Sequence, residues 1–200
     1  MSFLENLEKR RSIYNLGKDI DVDQAIGTIK EAVRLSPSAF NSQTSRILIL
    51  TGKEQDRLWE LVTEDLRLTM SEQGASTEAF EATKAKLASF GAAAGTALFF
   101  EDQDIIKNLQ EQFPIYADNF QGFSEQHTGI AAVNAWTALA EINVGGNLQH
   151  YNPLIDESVA KTWGIPTSWK LRSQLVFGSI EEAAGEKEFM NDEDRFRVFK

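Results

Sequence analysis

The chain has 200 residues, no cysteine and a formal net charge of −10. That length predicts one domain, residues 1–200, with a core large enough to need neither disulfides nor a structural metal, and the missing thiols exclude a thiolate nucleophile or thiolate metal site. The negative charge argues against non-specific binding to nucleic acid or anionic membrane, so any bound anion needs a local basic cluster. No apolar run reaches the roughly eighteen residues of a membrane span, and the polar start Met1-Ser2-Phe3-Leu4-Glu5-Asn6 is unlike a signal peptide, so a cytoplasmic protein is expected.

Ser2 and Glu5 stand at capping-box spacing and predict a helix that turns Phe3, Leu4 and Leu7 inward. It ends near Lys9-Arg10-Arg11-Ser12. Arginine offers phosphate a planar fork and serine a neutral donor, so this run reads as a phosphate clamp. The same run also reads as a solvated helix end that complements the macrodipole. Asp21 or Asp23 can cap the next helix, where Val22, Ile26, Ile29 and Val33 share a face. Pro37 and the Ser, Asn and Thr residues of 36–46 cannot easily continue it, and their polar density suits a ligand or an interface. Arg46 to Thr51 reads as a strand buried on both faces.

Lys53 to Met70 is amphipathic, with Leu58, Leu61, Val62 and Leu66 inward; Gly74-Ala75 breaks it, and Ser76 starts a helix carrying Phe80, Leu87 and Phe90. Gly91 to Gly95 lacks the spacing of a nucleotide loop and predicts close packing. Thr96 to Phe100 reads as a buried strand, and Glu101-Asp102 as the acidic opening of a helix rather than part of a metal cluster with Asp104. The aromatics Phe113, Tyr116, Phe120 and Phe123 could line a pocket for a flat ligand or pack across a subunit interface. Thr128 to Val144 is a helix apolar over most of its circumference, hence central or shared between subunits.

Gly145 to Pro153 reads as a loop whose glycines allow close approach to a ligand, with Asn147, Gln149 and His150 supplying polar groups. Asn152-Pro153 predicts a helix start and Gly164 its end. His150 is a candidate general base, but no G-x-S-x-G elbow accompanies it, and His127 and His150 lack metal-ligand spacing. Trp169 to Gly178 is a third strand, and the final residues are expected to wrap over a partner subunit.

Four segments in this order resemble the FMN-dependent nitroreductase family: Arg10-Arg11-Ser12, Pro37 to Gln43, Gly95 to Asp102, and Asn147 to Pro153 followed by the Trp169 strand. The likeness spans nearly the whole chain and is nearest to a compact branch of about 200 residues, which includes bacterial stress proteins and fungal relatives. It implies an α+β fold with a central, mostly antiparallel sheet flanked by helices, in a homodimer that exchanges its C-terminal segments and binds FMN at the dimer interface. Arg10, Arg11 and Ser12, with Tyr14 beside them, would hold phosphate and ribityl oxygens. Pro37, Ser38 and Asn41 would come from the opposite subunit, Leu148, Gln149 and His150 would approach the flavin ring, and Lys187 would reach the phosphate. Lys86, or Lys84 close to it, is the candidate for the flavin N1 and O2 edge, although neither aligns cleanly with the family pattern. Tyr116, Phe120 and Phe123 are candidates for the wall of a substrate pocket. The resemblance implies oxidation of NADH or NADPH and two-electron reduction of a small aromatic acceptor, a nitroaromatic or quinone; the alternative is a flavin-binding redox sensor or store without turnover. Such chemistry needs no protein nucleophile and no metal, because the cofactor carries the reaction.

Overall fold

The structure is a computed structural model that describes residues 2–200. Its frame is a sheet of five strands: β1 (Leu16–Gly17), β2 (Ser45–Thr51), β3 (Gly95–Asp102), β4 (Gly145–Gln149) and β5 (Trp169–Ile180). The order is β1-β5-β3-β2, with β4 also on β5, and every pairing of strands is antiparallel. The helices are α1 (Phe3–Lys9), α2 (Val22–Arg34), α3 (Lys53–Glu72), α4 (Thr77–Gly91), α5 (Gln103–Gln112), α6 (Ala117–Glu141), α7 (Asp156–Trp163) and α8 (Asp192–Arg195). Among the described residues no helix is long and apolar enough to cross a membrane.

Strand alternation divides the core. Leu98 and Phe100 of β3 join Leu58, Val62, Leu87 and Phe90 of α3 and α4, while Ala97 and Phe99 face Ile29 of α2 and Ala131, Ala135 and Leu139 of α6. A bulge keeps this sorting through β5: Phe99 pairs with Ser173 but Phe100 with Leu171, so Arg172 is the extra residue. Leu171 thereby stays on the Phe100 side, and Arg172 is re-aimed toward Glu101. The expected close packing at Gly95 is present, since a Cβ there would lie 2.5 Å from Phe177 Cζ and 2.8 Å from the Leu50 carbonyl.

Several expectations need correction. The capping box at Ser2 and Glu5 forms, yet Phe3 and Leu4 are 67% and 74% exposed in the single chain, because α1 lays only part of its surface on α6. β2 carries aliphatics on both faces but sits at the sheet edge, so only Leu50 is fully buried. Glu101 does not open a helix; it is the buried end of β3, and Asp102 caps α5 by accepting from the Asp104 amide. The long helix starts at Ala117, eleven residues before Thr128, because the aromatic turns at Phe120 and Phe123 are helical too. Gly145 to Gln149 is strand β4, where the glycines permit close packing: a Cβ on Gly146 would stand 2.9 Å from the Val176 carbonyl. Asn152-Pro153 is a cis peptide before α7 rather than its start, and Gly164 ends that helix in the left-handed conformation as expected.

Candidate functional site

The first group of candidate residues gathers where α1 meets the sheet. After Lys9 the backbone leaves the helix, and Ser12 forms a parallel bridge with Gly146. The Ile13 amide donates to the Gly146 carbonyl at 2.9 Å, and Asn147 Nδ2 donates to the Ile13 carbonyl at 2.7 Å. Gln149 Nε2 then donates to Asn147 Oδ1 at 2.8 Å, which ties Leu148, Gln149 and the exposed His150 to the Arg11-Ser12 segment. Arg11 Nη2 donates to the Gly185 carbonyl at 2.8 Å, so the C-terminal segment passes over the arginine. Together Arg11 to Asn15 and Glu182 to Glu186 line a crevice of about 340 Å³.

Arg10 stacks its guanidinium 4.4 Å from the centre of the Trp136 ring. Burial lowers its pKa from the ordinary arginine value, and the charge of Arg11 acts the same way. Among the described residues neither Arg10 nor Arg11 is paired with a carboxylate, although the chain is strongly acidic. Two uncompensated guanidinium groups beside a hydroxyl are a donor set suited to a phosphate monoester, and so fit the headgroup of FMN. The Tyr14 ring centre lies 6.5 Å from that of Phe90, and Lys86 Nζ lies 5.8 Å from the same Phe90 ring centre, so Lys86 is a near neighbour of this group. Lys84 pairs instead with Glu81. Lys187, two residues beyond Gly185, is exposed and stacks on Phe189.

The second group forms on the opposite half of α6. Pro37, Ser38 and Asn41 belong to a turn in which Phe40, Asn41 and Gln43 all have positive φ, at 57°, 50° and 48°. Side chains are strained there by about 1 kcal/mol or more each, asparagine least, so the turn must be held from outside. Three residues of α6 do this from one face of the helix. Asn134 Nδ2 donates to Ser36 Oγ at 2.9 Å, the Ala39 amide donates to His127 Nε2 at 2.8 Å, and Ser124 Oγ donates to Thr44 Oγ1 at 2.8 Å. Arg46 Nη1 donates to the Gln43 carbonyl at 2.7 Å, which braces the strand entrance.

Phe40, half exposed, packs on Phe113, Tyr116 and Phe120 with ring centres 4.9, 5.9 and 5.4 Å away, and Phe123 meets Phe120 edge-on. Tyr116 and Phe40 present surface, whereas Phe120 is buried beneath them. Beside this cluster a cavity of about 550 Å³ has an apolar floor of Ile26, Ile29, Val33, Ile47 and Ile49 and a rim that includes Lys30, Arg34, Arg46 and His127. In the sequence Phe40 is only one member of the Pro37 to Gln43 segment and His127 only a histidine without metal-ligand spacing, since the partners of both lie far along the chain.

Within one chain the two groups do not meet. Trp136, under Arg10, is nine residues from His127 on α6, which at the helical rise is about 13 Å.

The family model described as Nitroreductase family matches residues 7–179. Nitroreductase FRM2 of Saccharomyces cerevisiae is 31% identical over 195 residues, which cover 96% of this chain and 94% of the relative. Nitroreductase CinD from Lactococcus lactis has been solved in complex with nicotinic acid (62% identity, TM-score 0.92) and with 4-nitrophenol (61%, 0.91), and each match covers 100% of both chains. A nitroreductase with bound FMN from Desulfitobacterium hafniense shares the fold, with a TM-score of 0.71 over 100% of both chains at 16% identity. Given a family match over most of the chain and relatives alike along almost its whole length, the protein belongs to the nitroreductase family and is an oxidoreductase.

Proposed function

We propose that the protein is an NAD(P)H-dependent FMN oxidoreductase that reduces nitroaromatics, quinones or similar flat acceptors by two electrons in a ping-pong cycle. The observation that carries this reading is the convergence of Arg10, Arg11 and Ser12 with β4 and the segment after β5, which leaves two guanidinium groups without carboxylate partners beside a crevice. Bound FMN would supply the two-electron redox chemistry at its isoalloxazine ring. The chain's own contribution is to bind and orient. Arg10, Arg11, Ser12, Tyr14 and Lys187 would hold phosphate and ribityl oxygens, Lys86 would offset charge at the ring's N1 and O2 edge, and Leu148, Gln149 and His150 would border the ring.

Pro37, Ser38 and Asn41 complete this site from a second copy of the chain in a homodimer. Arg10 docks on α6 at Trp136 and the turn docks at His127, two separate stretches of the helix, which supports one group coming from each chain. The exposed rings of Tyr116 and Phe40, above Phe120 and Phe123, supply a flat apolar wall against which an aromatic acceptor can stack. The relative CinD, similar along its whole length, binds the flat aromatics 4-nitrophenol and nicotinic acid.

The protein loaded with FMN is expected to be yellow, to bleach when mixed anaerobically with NADH or NADPH, and to regain its colour when a nitroaromatic or quinone is added. Bleaching that no acceptor reverses would sink the reductase reading and leave a sensor or a flavin store.

A further inference from the structure

Resting on the flavin reading above, we propose that His127 is a positioning residue: its neutral ring anchors the Pro37 to Gln43 turn and makes flavin retention dependent on pH. The turn carries three side chains at positive φ, and the α6 contacts from Ser124 and Asn134 grip its two ends, at Thr44 and Ser36. His127 alone of these three reaches the middle, where Nε2 stands 2.8 Å from the Ala39 nitrogen. The residue is only 9% exposed.

A backbone N–H can only donate, so Nε2 must be the bare acceptor nitrogen and the ring proton must sit on Nδ1. Protonating Nε2 would set one N–H against another and release Ala39. The charged groups around the ring come from every neighbouring element. Lys30 and Arg34 of α2 and Arg46 of β2 share its cavity, Glu125 lies on its own helix, and Glu101 of β3 and Arg172 of β5 form the ion pair behind it. Burial pushes the imidazole pKa below its ordinary value, and the Glu101 charge partly opposes this. With the anchored ring's pKa depressed, the anchor is complete above the ordinary histidine value and is lost as pH falls through the lowered one.

The test compares wild type with His127→Gln, which offers an acceptor that does not titrate, and His127→Ala, which offers none. FMN affinity is read by flavin fluorescence between about pH 5 and 8, where a free histidine titrates, and amide hydrogen exchange at Ala39 is followed in the flavin-free protein. Wild type should lose affinity by about five- to tenfold at the acid end, the scale of one hydrogen bond. The Gln variant should change less across the same range, and the Ala variant should bind weakly throughout. Exchange at Ala39 should quicken at low pH in wild type, beyond the intrinsic pH trend, and at all pH values in the Ala variant. Equal pH slopes in wild type and the Gln variant, or protected Ala39 in the Ala variant, would overturn the anchor. No FMN uptake at pH 8, with Ala39 exchange still behaving as described, would overturn the flavin reading and leave the anchoring of the turn standing.

Discussion

Arg10 and Arg11 adjoin in sequence but do different work. The Arg10 guanidinium carbon sits 4.4 Å from the centre of the Trp136 ring, while Arg11 lines the crevice and holds the Gly185 carbonyl with one nitrogen. Arg11 therefore retains free donors in its fork, and it is the residue best placed for a charge-assisted bond to phosphate. Arg11→Ala should weaken FMN binding by about ten- to a hundredfold, the range for a hydrogen bond to a charged group, and should flatten the dependence of affinity on salt. Titration of FMN at low and high ionic strength checks both, and an unchanged affinity would count against the clamp. The other strongly charged cluster is structural: fully buried Glu101 accepts from Arg172 Nε at 2.6 Å and from Gln121 Nε2 at 3.0 Å. These contacts tie the end of β3 to β5 and α6.

α6 carries the architecture. One side packs Ala131, Ala132, Ala135 and Leu139 on the sheet, another holds the turn through Ser124, His127 and Asn134, and a third leaves Ile130 and Val133 more than a third exposed. α1, which packs on α6 and is tied to its C-terminal end through Lys9 and Asn143, adds exposed Phe3 and Leu4. Apolar surface on two adjoining helices is what a second copy would cover. Val133→Asp should convert the expected dimer into a monomer of unchanged helix content, since a charge would have to be desolvated at the contact. Sedimentation and far-ultraviolet circular dichroism would read the two effects, and a persistent dimer would move the interface elsewhere.

The two groups of the proposed flavin site dock on α6 at Trp136 and His127, about 13 Å apart along the helix axis, and the proposed site takes one group from each of two chains. Mixing Arg11→Ala chains with Asn41→Ala chains should restore one intact site per heterodimer, because one of its two sites then carries neither substitution. Flavin titration of confirmed heterodimers should give half-stoichiometric tight binding. Weak binding at both sites would argue against sites built from two chains.

Much of this was legible without coordinates, because it depends on local chemistry. The capping box at Ser2 and Glu5, the cap at Asp21, the left-handed stop at Gly164 and the β3 and β5 strands follow from neighbours within a few residues. The fold class and the order of the family's motifs were equally open to reading. Long-range pairing was not. Gly145 to Gln149 looks like a loop until β5 supplies its partner strand, since a strand's hydrogen bonds lie in another part of the chain. Arg172 is an ordinary strand residue in sequence and becomes the partner of a buried carboxylate only through a bulge. His127 is one polar residue on an apolar helix until folding brings Ala39, 88 positions away, against its ring. The motifs and the residue types for anion binding were written locally; which backbone each side chain holds, and which groups one chain leaves apart, was decided by tertiary packing.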